Sequence, residues 1–223
     1  MQNSVLVKEI FTSIQGEGPF VGYNQLFIRF SNCNLNCNYC DTDFKTDLKE
    51  YTKEELVKIV NETKNIHSVS LTGGEPLTET DFLIEFLPLL HKKIYLETNG
   101  TLPQNLNKII NFIDIISMDI KLNSTTKSGD FFIVHEKFIE IAINAKKEIF
   151  LKTVFDENIT DEEINKTVEL ANKYNIELIL QPKMNGYFLS LTTSKINEIY
   201  EKFNNICKKT RLIPQTHKFL NIQ

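Results

Sequence analysis

Short apolar runs alternate with amphipathic ones along most of the chain. Gln25–Phe30 (QLFIRF), Ser68–Leu71, Ile94–Glu97, Ile115–Met118, Ile149–Thr153 and Leu178–Leu180 are too short for helices, and each predicts a strand. The stretches between them carry apolar residues at three- and four-residue spacing. Thr52–Lys64 predicts a helix, with Leu56, Val57, Ile59 and Val60 recurring at helical spacing and Thr52 with Glu55 as a capping box. Thr80–His91 predicts a second, bent or broken near Pro88. Pro103–Phe112, Glu136–Lys147, Thr160–Tyr174 and Ser194–Lys208 predict four more, with Thr160 and Glu163 as another capping box. Asn123–Asp130 (NSTTKSGD) predicts an exposed, mobile loop.

Strands alternating with helices argue for parallel βα units, and these strands read as apolar on both faces, as helix-covered strands should. A complete eight-fold barrel needs about 250 residues. Six units in 223 residues predict an α/β fold of the open, partial (βα)6 barrel type, as a single domain spanning 1–223. The polar signals fall at strand ends. Cys33–Cys40 follows the first strand, Gly73-Gly74-Glu75-Pro76 the second and Glu97-Thr98-Asn99-Gly100 the third. Asp119 and Lys121 follow the fourth, and Gln181-Pro182 the last. Parallel α/β folds bind ligands at the carboxyl ends of their strands.

Composition narrows the class further. The chain is 41% apolar and 24% charged, with a net charge of -4 and no basic block, so the footprint of a nucleic-acid binder is missing. The start, MQNSVLVKEIF, has no signal-peptide pattern, and no 18-residue apolar run exists. A cytoplasmic enzyme with no membrane span is expected. Three of the four cysteines are bunched, which favours metal binding in a reducing compartment. Cys207 stands apart and reads as a small buried residue on a helix face.

Cys33, Cys37 and Cys40 have the spacing C-x3-C-x2-C. Three thiolates can hold three corners of a cubane iron–sulfur cluster and leave one iron open for a ligand. The alternative is zinc, which would want a fourth cysteine or a histidine. None of His67, His91, His135 and His217 stands at ligand spacing.

The triple after a first strand, followed by G-G-E-P after a second, resembles the radical S-adenosylmethionine superfamily. The resemblance implies a 4Fe–4S cluster on Cys33, Cys37 and Cys40, with S-adenosylmethionine on the open iron. Tyr39 occupies the place of an aromatic beside the adenine. Within that superfamily, Ser13–Gly22 (SIQGEGPFVG), F-I-R-F, C-D-T at Cys40–Thr42, T-G-G-E-P-L, E-T-N-G-T, Leu180–Pro182 and P-Q-x-H-K at Pro214–Lys218 closely resemble the 7-carboxy-7-deazaguanine synthase family, in order over nearly the whole chain. That family converts 6-carboxy-5,6,7,8-tetrahydropterin to 7-carboxy-7-deazaguanine with loss of ammonia, by adenosyl-radical hydrogen abstraction and ring contraction, on the route to queuosine and other 7-deazapurines.

What the resemblance implies for single residues follows position by position. Thr42 is the contact for Mg2+. Ile14, Gln15 and Gly16 bind the pterin, with Glu17 a weaker candidate beside them. Arg29 pairs with the substrate, and its planar guanidinium suits a carboxylate. Thr72 is a substrate contact and Gly74 a cofactor contact. Ser117-Met118-Asp119-Ile120-Lys121 stands where the family usually shows Ser-Pro-Lys, so Ser117, Asp119 and Lys121 are all cofactor candidates. Gln181, Pro182, Lys183 and Met184 match the last cofactor-binding turn, and Gln223 is a candidate for the substrate site. The implied partners are the small pterin and an electron donor such as flavodoxin or ferredoxin, with the chain as a homodimer. Two other readings stand beside this one: a glycyl-radical enzyme activase, which shares the triple and the cofactor, and a zinc-binding interaction module.

Overall fold

The computed structural model describes residues 3–38, 40 and 46–222. Among them the chain opens with β1 (Ser4–Ile14), β2 (Asn24–Phe30), β3 (Lys49–Thr52), α1 (Lys53–Glu62) and β4 (Ser68–Gly73). It continues with α2 (Thr80–Phe86), β5 (Ile94–Thr98), α3 (Pro103–Ile109), β6 (Ile115–Asp119), α4 (Asn123–Thr126), α5 (Phe132–Asn144), β7 (Glu148–Phe155) and α6 (Asp161–Lys173). The last elements are β8 (Glu177–Pro182), the hairpin β9 (Met184–Asn185) and β10 (Phe188–Leu189), α7 (Thr193–Asn204), β11 (Thr210–Leu212) and α8 (Thr216–Leu220).

The main sheet runs β11-β8-β7-β6-β5-β4-β2-β1-β3. From β2 to β11 its neighbours are parallel, and β1 and β3 extend it antiparallel. All six expected strands are present, and the sheet stays open. The sequence pattern did not predict β1, β3 and β11. β1 (SVLVKEIFTSI) has no clean alternation of apolar and polar residues and is only partly buried, and β3 and β11 are four and three residues long.

Both capping boxes form: Thr52 with Glu55 starts α1, and Thr160 with Glu163 starts α6. Pro88 falls in the 3-10 turn Leu87–Leu89 that ends α2, where its missing N–H ends the ladder. α5 begins at Phe132, four residues before expectation, because Asp130 Oδ1 accepts from Phe132 N–H (2.9 Å) and no capping residue marks the aromatic start. Cys207 is buried as expected, but it follows α7 and is not on a helix face.

Two expectations need correction. Asn123–Asp130 is not a wholly exposed loop: it contains α4, and Thr125 and Thr126 are buried, with their hydroxyls donating to Val154 and Leu122 carbonyls. The strands are also not apolar on both faces. Successive side chains alternate across a sheet. Leu26, Ile28, Val69, Leu71, Leu96, Ile116, Met118, Leu151, Leu178 and Leu180 pack with Leu56, Phe82, Leu106, Phe138, Ile164 and Ile199 of the helices in the main core. The opposite parity carries Gln25, Arg29, Ser68, Ser70, Thr72, Glu97, Ser117, Asp119, Lys152 and Gln181. Towards the base of that inner face Tyr95, Ile115, Phe150 and Ile179 form an apolar cluster against Phe20 and Ile213. The polar remainder of the inner face is free to line a site. No helix among the described residues is long and apolar enough to cross a membrane.

Candidate active site

A cleft of about 1070 Å³ opens over that polar face. Cys33, Cys37 and Cys40 line it together with Gly73 and Gly74. The cysteine loop leaves β2 and is fastened at several points. Asn32 C=O accepts from Glu75 N–H (2.7 Å), and Asn38 N–H donates to the Thr126 carbonyl (3.2 Å). Leu35 N–H donates to Cys33 Sγ (3.4 Å). Burial pushes the thiols of Cys33 and Cys37 up from their ordinary value.

Gly74 is there for close approach. A Cβ on it would stand 2.2 Å from Asn32 O and 2.7 Å from Cys33 Cβ. The following Glu75 is fully buried and accepts from Asn99 N–H (2.7 Å), Thr98 Oγ1 (2.9 Å) and Leu77 N–H (3.1 Å). It thereby clamps the G-G-E-P turn to E-T-N-G. Burial pushes its carboxyl up to about 7, although these three hydrogen bonds oppose the shift.

Arg29 and Thr72 face one another in register across β2 and β4, and both line the cleft. Arg29 Nε donates to Glu9 Oε1 at 2.6 Å, and its guanidinium lies over the Phe11 ring. Thr72 Oγ1 donates to Glu97 Oε2 (2.8 Å). Glu97 also accepts from Gln15 Nε2 (2.8 Å) and Ser70 Oγ (3.4 Å), so its carboxylate is set in place by two residues of β4 and one from the turn after β1.

Ser117, Asp119, Lys121, Gln181, Lys183 and Met184 also line the cleft. Asp119 Oδ2 pairs with Lys121 Nζ (2.8 Å), whereas buried Asp119 Oδ1 has no partner among the described residues. Gln181 Nε2 donates to Glu17 Oε1 (3.3 Å), and its own buried Oε1 likewise has no partner among the described residues. Lys183 pairs with Asp156 (3.3 Å). Pro182 is buried at the end of β8 and is not part of the lining.

Ile14, Gln15 and Gly16 line a second, adjoining cleft of about 420 Å³ that shares Glu17, Arg29, Glu97 and Gln215 with the first. Gln15 is buried, and its amide is spent on Gln25 (3.0 Å), Glu97 and Glu17 N–H (3.0 Å). Gly16 has His217 against it, with Nδ1 2.4 Å from where a Cβ would sit. Tyr39, Thr42 and Gln223 lie outside the described residues.

Sequence reading missed Lys152, Gln215 and Lys218 as lining residues, whereas Glu97, a polar signal at a strand end, lines the cleft as that signal suggested. Lys152 sits mid-strand, and only the alternation of β7 betrays that it faces inward. Its Nζ pairs with Glu17, which also accepts from Gln215 Nε2 (2.8 Å). Burial disfavours both charges. Lys152 nevertheless holds Glu17 down at about 2, and Glu17, Asp119 and Glu97 hold Lys152 above the ordinary lysine value. Gln215 and Lys218 come from the P-Q-x-H-K segment, whose pattern was the signal available for them.

The donor set suits an iron–sulfur cluster with a small polar ligand. Three thiols line one cleft, the Gly74 backbone comes close beside Cys33, and two acceptor oxygens without a partner among the described residues lie among the lining residues. Among the described residues no three Cys, His, Asp or Glu side chains surround a single point as one metal ion would require.

Comparison with known proteins agrees with this chemistry. Residues 27–177 match the family model of the radical SAM superfamily. The chain is 38% identical over 242 residues to a 7-carboxy-7-deazaguanine synthase of Geobacter sulfurreducens, covering 96% of each chain. It is 32% identical to one from Methanothermobacter thermautotrophicus, covering 97% of each. In fold it is similar to the crystal structure of QueE from Escherichia coli (TM-score 0.65, 20% identity, 96% of this chain and 95% of that one). It is also similar to anSMEcpe with bound AdoMet (TM-score 0.56, 20% identity, 79% and 54%). Full-length likeness to synthases sets aside the activase and zinc-module readings, and the chain belongs to the 7-carboxy-7-deazaguanine synthase family of the radical SAM superfamily.

Proposed function

We propose that this lyase of 7-deazapurine biosynthesis acts on 6-carboxy-5,6,7,8-tetrahydropterin and contracts its ring to 7-carboxy-7-deazaguanine with release of ammonia. The observation that carries the reading is that Cys33, Cys37 and Cys40 share one cleft with Gly74, Arg29 and Thr72. When bound, a 4Fe–4S cluster and S-adenosylmethionine supply an electron and an adenosyl radical that takes a hydrogen from the substrate. The three cysteines would hold the cluster.

Gly74 gives the cofactor room, and Ser117, Asp119, Lys121, Gln181, Lys183 and Met184 form its polar surround. The unpartnered oxygens of Asp119 and Gln181 suit the hydroxyl or ammonium donors of S-adenosylmethionine. Arg29, steadied by Glu9, would take the substrate carboxylate. Thr72 and Glu97 form a pre-set wall beside it. Gln15 would act by holding Glu97 and Glu17, since its own amide is already engaged. Tyr39 against the adenine, Thr42 on Mg2+ and Gln223 at the substrate complete the assignment. A flavodoxin- or ferredoxin-class reductant, a homodimeric state and a cytoplasmic location belong to the same reading.

The test is anaerobic reconstitution with iron and sulfide, followed by incubation with S-adenosylmethionine, a reductant and the carboxytetrahydropterin. Mass spectrometry should show 7-carboxy-7-deazaguanine. Protein with a full cluster complement that cleaves S-adenosylmethionine but forms no deazapurine would overturn the substrate assignment.

A further inference from the structure

We infer that Asn34 is a positioning residue of the cysteine loop, holding Leu35 N–H on Cys33 Sγ and so setting the reduction potential of a cluster bound there. The inference rests on Cys33 being a cluster ligand, as proposed above.

Three side chains close a ring of hydrogen bonds beside the loop. Asn34 Nδ2 donates to Thr101 Oγ1 (2.8 Å), Thr101 Oγ1 donates to Asn99 Oδ1 (2.6 Å), and Asn99 Nδ2 donates back to Asn34 Oδ1 (3.0 Å). Each donor in the ring meets an acceptor, which fixes both amide orientations. The ring is anchored in the protein interior. Asn99 N–H donates to buried Glu75 Oε2 (2.7 Å), and Asn99 C=O accepts from Nε2 of buried His135 (3.0 Å). Thr101 N–H adds a further bond to Asn99 Oδ1 (3.0 Å).

Asn34 is therefore a fixed point in an otherwise exposed loop, between Cys33 and Leu35. The next amide in the chain, Leu35 N–H, points back at Cys33 Sγ (3.4 Å). Hydrogen bonds to cysteine sulfur are among the groups that tune an iron–sulfur potential, because they offset the negative charge added on reduction. An N–H kept on Sγ by a rigid neighbour raises the potential, and a loosened one lowers it.

The test is a potentiometric titration of the anaerobically reconstituted protein, read by electron paramagnetic resonance. Asn34→Ala should lower the reduced-to-oxidised ratio at a fixed potential about tenfold, or about 59 mV for one electron. Thr101→Ala should shift it in the same direction, and Thr101→Ser, which keeps the hydroxyl, should restore it. A second readout uses the cluster-free chain. Leu35 N–H on Cys33 Sγ favours the thiolate, the form that reacts, so Asn34→Ala should lower alkylation of Cys33 at neutral pH by about threefold or more, within the worth of one hydrogen bond. Continued protection of Cys207 reports an intact fold.

A fully loaded Asn34→Ala protein with the wild-type potential would overturn the inference. For a variant that takes up no iron, unchanged Cys33 alkylation would overturn it. Failure of the wild-type chain itself to bind iron would sink the ligand assignment, and is distinguishable from both.

Discussion

Lys152 on β7 is ion-paired with Glu17 in the turn after β1, so the charge pair joins two segments that lie far apart in the strand order. Both side chains are largely buried, at 11% and 17% exposure. Gln181 and Gln215 add hydrogen bonds to Glu17, which ties β8 and the C-terminal segment to the same point.

Breaking one side of such a pair strands the other charge. Lys152→Met should cost about 3–5 kcal/mol in urea unfolding, and adding Glu17→Gln should recover part of that loss. Glu17 sits at about 2 against an ordinary value of 4.5. Its stabilisation is full above about 4.5 and is lost as pH falls towards 2. The Lys152 contribution has the opposite sense: it is full below the ordinary lysine value and is lost only in strong alkali. A Lys152→Met chain as stable as wild type would show that the pair is not buried in solution.

Glu75 gives the opposite acid dependence. Burial holds it at about 7, so the folded chain keeps a proton that the unfolded chain releases near 4.5. Its effect on stability is therefore a decline as pH rises from about 4.5 to 7, flat above that. Glu75→Gln should remove this slope, measured as urea midpoints at pH 5 and pH 7.5. An unchanged slope would place the titration elsewhere.

Gly16 faces the side chain of His217, and Thr216 N–H donates to Gly16 C=O (2.8 Å). Gly16→Ala should displace α8 and speed hydrogen exchange of Thr216–Leu220, at a cost of about 1–3 kcal/mol. His217→Ala should relieve most of that cost in the double variant. Equal exchange in Gly16→Ala and wild type would contradict the packing.

Arg29 offers a planar guanidinium beside Phe11 and bound to Glu9, which a lysine cannot copy. Arg29→Lys should lower kcat/KM for the carboxytetrahydropterin by about tenfold or more, while substrate-free cleavage of S-adenosylmethionine stays near wild type. A matching fall in both activities would place Arg29 at the cofactor instead.

Much of the fold was legible in the chain because its signals are local. The six short apolar strands, both capping boxes and the break at Pro88 depend on neighbours within a few residues. β1 and β3 were not legible, since an edge pairing between Ser4–Val7 and Lys49–Thr52 leaves no strong mark on either segment. The buried Thr125 and Thr126 show the same limit. Their polar composition signals a loop, whereas packing against the neighbouring carbonyls buries them.

The sequence by itself determined the chemistry: three cysteines at cluster spacing, glycines beside them, an arginine on the first parallel strand and a family-wide set of motifs. Tertiary structure decided which residues meet. It set Ile14, Gln15 and Gly16 along a cleft that adjoins the first and shares Arg29 and Glu97 with it, committed the Gln15 amide to Glu97, and brought Lys152 and Gln215 onto Glu17. The reason is physical. Ligand types and turns are written in adjacent residues, but the partner of a buried charge comes from strand order and from which side of the sheet each residue faces.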